Sequence, residues 1–111
     1  MISYNDSAST AVTAAGSTLS TATPLQSRFN NVSTVAASTG VSLPANSVAG
    51  TVVFVRNTGA NALAVYPATA AGTISGGSAG AAVSLAVTTQ LTQNSMFVCW
   101  GNDVWTRVVS A

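Results

Sequence analysis

The sequence predicts an all-β protein: an antiparallel β-sandwich of about eight short strands, jelly-roll-like or immunoglobulin-like, behind an extended N-terminal arm. Three observations carry the prediction. Short β-branched and aromatic runs recur along the chain, Gly, Pro and Asn punctuate them, and no segment repeats its apolar residues at a helical period. With 111 residues, one hydrophobic core and hence one domain is expected.

Residues 1–24 are low in complexity and poor in large apolar side chains, so alone they bury too little area to offset their ordering entropy. They form either a frayed tail or an arm that orders against a neighbouring chain, and Ile2, Tyr4, Val12 and Leu19 are its candidate contacts. Residues 25–111 form the sandwich domain. Val32–Ser38 and Val41–Pro44 read as short strands separated by Gly40, and Ala45–Gly50 as a loop. Thr51–Asn57 is strongly β-branched, and Thr58–Asn61 turns the chain into Ala62–Tyr66, which Pro67 closes. Thr73–Ser75 is a short strand beside a Gly-rich stretch. In Ala82–Val87, Val83, Leu85 and Val87 share one face. Ser95–Trp100 and Val104–Val109 read as a closing hairpin around Gly101-Asn102-Asp103.

Charge is nearly absent. Ala, Ser, Thr and Val supply well over half of the chain, and its only charged side chains are Asp6, Arg28, Arg56, Asp103 and Arg107. A formal charge of +1 cannot make the basic footprint of a nucleic-acid binder. No apolar run approaches the ~18 residues of a membrane helix. The N-terminus lacks the basic and apolar regions of a signal peptide, and one cysteine makes no intrachain disulfide, so synthesis in a cytoplasm is expected. Charge ordinarily keeps the surfaces of free proteins apart. A surface with so little of it points to one covered by other subunits.

The inventory offers little for catalysis. There is no His, Lys or Glu, and the two aspartates lie in the arm and in a hairpin turn, where Asp103 reads as a turn former. No enzyme activity, metal or cofactor is expected. The stretch Gly72–Gly80 lacks the lysine of a phosphate loop. Cys99, in an apolar strand, reads as a buried inert thiol. Tyr66, Trp100 and Trp105 either form a stacking platform for a sugar ring or fill the core and a subunit interface. Arg56 shares a strand face with Val52 and Phe54, and Arg107 with Trp105. Each arginine is either a solvated edge charge or an inter-subunit anchor, so Arg56, Tyr66, Trp105 and Arg107 are the candidate inter-subunit contacts.

The body, from Gly40-Val41-Ser42-Leu43-Pro44 through Val55-Arg56-Asn57-Thr58-Gly59 and Val65-Tyr66-Pro67 to the aromatic hairpin ending at Trp105, resembles small β-rich structural proteins of tailed bacteriophages. In these a Val-Leu-Pro strand, a Val-x-Asn-x-Gly turn and a Val-Tyr-Pro strand end recur in this order. The resemblance covers roughly residues 30–109 and transfers no site residue. It implies a virion component, a capsid decoration (cement) protein on the capsid surface, with the major capsid protein and its own copies as partners and a trimer as the oligomer. A fibre is usually longer and repetitive, so the length suits a free-standing decoration module. Its arm would then lie on the capsid or cross to a neighbour by strand addition, and would be dispensable for folding. The competing expectation is a glycan- or receptor-binding module of a head or tail fibre.

Overall fold

A computed structural model describes residues 8–45, 47–86 and 94–108. Ten strands and no helix occur among these residues. In chain order they are β1 (Ala8–Thr13), β2 (Thr23–Pro24), β3 (Phe29–Thr34), β4 (Gly40–Ser42), β5 (Val52–Asn57), β6 (Leu63–Tyr66), β7 (Thr73–Ile74), β8 (Val83–Leu85), β9 (Asn94–Gly101) and β10 (Val104–Val108). They make a six-stranded sheet, β1-β3-β5-β9-β10-β7, and a four-stranded sheet, β2-β4-β6-β8.

The all-β expectation holds, but the sheets are mixed rather than antiparallel. From β1 to β6 the chain alternates between the two sheets, and each strand lies parallel to the one two places earlier. Thus β1, β3 and β5 are parallel in one sheet, and β2, β4 and β6 in the other. The first half therefore winds as three turns of a flattened coil, each turn contributing one strand to each sheet. Antiparallel pairing enters only as the chain closes, with β8 on β6, β9 on β5 and β10 on β9, while β7 runs parallel to β10.

The arm expectation changes with this topology. Residues 8–24 supply the first turn of the coil: β1 pairs with β3, β2 with β4, and Ala15 bridges Gly40. Ala14 and Ala22 are buried, and Val12 packs against the core. The low complexity has a local use, because short hydroxyl side chains satisfy the backbone where the coil turns. The Thr21 hydroxyl donates to the Thr18 carbonyl, the Thr23 hydroxyl to Thr13, and the Thr39 hydroxyl to Ala36.

The core lies between the sheets. Alternation along β5 turns Val53, Val55 and Asn57 inward, β6 adds Leu63 and Val65, and β9 adds Ser95, Phe97 and Cys99. Trp105, Leu43 and Leu85 join it, with Leu25, Val32, Val35, Val41 and Ile74. Asn57 is the polar group at its centre. Its amide donates to the Leu85 carbonyl at 2.8 Å and the Asn61 carbonyl at 2.9 Å, and its Oδ1 accepts from the Gly59 N–H at 3.0 Å. The asparagine of the Val-x-Asn-x-Gly turn thus ties the β5–β6 connection to β8 of the opposite sheet.

Candidate functional site: the outer face of the six-stranded sheet

The same alternation that fills the core sends a second set of side chains to the outer face of the six-stranded sheet. Phe29 is level with Ala8 and Phe54, Phe54 with Met96, and Met96 with Val108, so one apolar row crosses β1, β3, β5, β9 and β10. The Phe29 and Phe54 rings stack with centroids 4.8 Å apart and planes 4° from parallel. A second row holds Val52, Val98 and Thr106. Beyond it, a register shift between Val104 and Trp105 marks a bulge at the end of β9, where Trp100 is 69% exposed and its Nε1 donates to the Thr106 hydroxyl at 2.8 Å. Phe29, Val104 and Val108 are also exposed.

On the other side of the apolar row lies a polar one, Asn31, Arg56 and Asn94. Arg56 is the one charged side chain in these rows, while Arg28 lies 5.9 Å from the Phe29 ring centroid at their margin. Between the polar and apolar rows the face dips into a trough of about 450 Å³, whose exposed wall is almost wholly apolar. Two features mark the trough as a surface for contact: aromatic and Met side chains side by side, and charge only at the rim.

The residues singled out in the sequence distribute differently. Arg56 is exposed at this face. Trp105 is only 1% exposed, so it belongs to the core and not to an interface, and its Nε1 donates to Asp103. Arg107 lies on the inward side of β10, half-buried, with Nε donating to the Ser95 hydroxyl at 2.9 Å; burial pulls its guanidinium below the ordinary arginine range. Tyr66 sits on the outer side of the four-stranded sheet. Its ring lies over Gly40, where a Cβ would come within 2.9 Å of it, and its hydroxyl donates to the Ser17 carbonyl at 2.9 Å. Tyr66, Trp100 and Trp105 therefore lie on one outer side, on the other and between the two sheets, and form no common platform. Val12 and Leu19 are half-buried, and Ile2 and Tyr4 lie outside the described residues.

Two features escaped the sequence reading. The apolar row was legible in the unbroken runs Val52–Val55 and Met96–Val98, since a strand apolar on successive residues is apolar on both faces. The second is what the carboxylate of Asp103 does, since the residue's place in the hairpin turn is as the sequence indicates. With Asn102, Asp103 holds positive φ at the centre of the β9–β10 turn, as a tight hairpin requires. Its carboxylate also accepts from Trp105 Nε1 at 2.7 Å, Ala68 N–H at 3.0 Å, Thr69 N–H at 2.7 Å and the Thr69 hydroxyl at 2.8 Å. Partial burial pushes this carboxyl up, but the hydrogen bonds, led by Trp105, outweigh it and hold it below the usual aspartate range. Gly72 has no side chain because the carboxylate occupies the place of its Cβ.

Among the described residues no three metal-ligating side chains cluster. The sulfur of Cys99 is buried, accepting from the Gly101 N–H at 3.3 Å. Compared with family models, curated proteins and solved structures, the chain matches none.

Proposed function

We propose that this chain is a structural virion protein of the capsid decoration (cement) type. It binds the outer surface of a phage capsid and stabilises the shell through apolar and hydrogen-bonded contacts with the major capsid protein and its own copies. It acts without catalysis or cofactor, after synthesis in the host cytoplasm. The observation that supports this reading best is the outer face of the six-stranded sheet, a broad apolar surface with charge only at its rim, from Arg28 and Arg56. Such a face is suited to permanent contact and not to turnover of a solute. The resemblance of the body to phage structural proteins supplies the virion setting.

The test is sedimentation with undecorated capsids. Co-sedimentation that persists in about 1 M salt is expected, because apolar contacts are not screened. Protein left in the supernatant at both low and high salt overturns the reading. One observation favours a second reading, a glycan-binding module: Trp100 is exposed with its N–H already satisfied, which leaves a ring face open for stacking. That reading predicts sugar-dependent quenching of Trp100 fluorescence, and a decoration protein shows none.

A further inference from the structure

We infer that the trough and the apolar rows around it, on the outer face of the six-stranded sheet, are where a second copy of this chain docks, face to face about a twofold axis. The inference names a surface for the self-association contained in the proposed function but makes the unit a pair instead of the trimer that the resemblance implies, and it rests on that reading only for its biological setting.

Size is the first argument. Five strands about 4.8 Å apart, with about five residues each at ~3.4 Å per residue, present a face of roughly 24 by 17 Å. Two such faces bury about 800 Å² in flat projection. The relief of protruding side chains, Trp100 above all, raises this to the order of 1,000 Å² that a specific interface needs.

Charge is the second. A charged partner would find only Arg28 and Arg56 to complement, and both sit at the rim, where they stay hydrated. A second copy brings an equally uncharged face, so docking desolvates apolar side chains and leaves no buried unpaired charge. Geometry is the third. Sheets pack face to face about 10 Å apart with strands within about 30° of each other, so a pleated face fits a copy of itself. The contact is then isologous and closes as a pair.

The experiment is the solution mass by light scattering over a concentration series, alone and in about 1 M salt. The expected result is twice the 11.0 kDa chain mass. Met96→Lys and Val108→Lys, both on the apolar row, should each raise the dissociation constant at least tenfold. Ser84→Lys, exposed on the opposite sheet, should leave it unchanged. Val108 is 43% exposed, so its lysine variant tests the face even where Met96→Lys fails to fold. A wild-type monomer, or an oligomer whose mass neither variant alters, overturns the inference. Capsid sedimentation is scored separately: a chain that binds capsids but stays monomeric refutes this inference alone, and a dimer that ignores capsids refutes the virion reading alone.

Discussion

Asp103 meets two demands at once, a left-handed backbone and a short acceptor within reach of four donors. Asp and Asn tolerate that backbone, but only the carboxylate accepts on both oxygens. Asp103→Asn should therefore keep the turn and lose the hub, lowering unfolding free energy by about 2 kcal/mol, with solvent competition at this half-buried site holding the loss at the lower end of the range for charged hydrogen bonds. The direction with pH follows from the lowered folded value. Stability from Asp103 is complete above the unfolded value of 3.8 and is lost as pH falls through the folded one. The chain has two aspartates and neither Glu nor His, so few other groups mask this slope. Urea unfolding between about pH 5 and pH 2 should show it, and Asp103→Asn should flatten it. At Asn57 the side chain is fully buried, and both its nitrogen and its oxygen bond to backbone. Asn57→Ala strands two carbonyls and an N–H, and should cost about 3 kcal/mol in the same assay. In the sequence both residues announced turns; that their side chains reach the chain again at Thr69 and Leu85 was invisible, because such contacts depend on tertiary placement.

At the level of elements, the strands rich in β-branched residues were readable, and β5, β6, β9 and β10 lie close to where the sequence put them. Their partners were not. An inward–outward alternation is the same in parallel and antiparallel ladders, so pairing direction leaves little trace in a single chain. The coil also escaped, since its turns differ in length and share no repeated residues. Strands β1 and β2 were hidden for another reason: a Ser- and Thr-rich segment reads as disorder until a neighbouring edge satisfies its backbone. This reverses the expectation for truncation. Removing residues 1–20 takes away β1 and the buried Ala14, uncovers Val32, and should lower the thermal midpoint by more than about 10 °C instead of leaving a stable body. Calorimetry of the truncated chain decides this. Tyr66 gives a gentler probe. Tyr66→Phe removes the bond to Ser17 and should cost at most about 1 kcal/mol globally, yet raise amide exchange at Thr21 and Ala22, whose N–H groups bond to Thr18 in the same turn.

For the whole molecule, a nearly uncharged surface means that ionic strength has little to act on. Between about 50 mM and 1 M salt the self-association constant should change by less than about threefold, and a tenfold weakening in salt would show that Arg28 or Arg56 carries the contact instead of the apolar rows. The winding also sets the order in which the chain can fold as it leaves the ribosome. Strands β1 to β6 find their parallel partners among residues already made, but one edge of β5 stays open until Asn94–Gly101 emerges, and Thr73–Ile74 waits for Val104–Trp105. During that interval the nascent coil shows an unpaired edge flanked by Phe54 and Val52 on one face and Val53 and Val55 on the other, a template for strands of other chains. The last strands to be synthesised thus act as a lock on the sheet, and slowing translation before residue 94 would lengthen the period in which misassembly competes with folding.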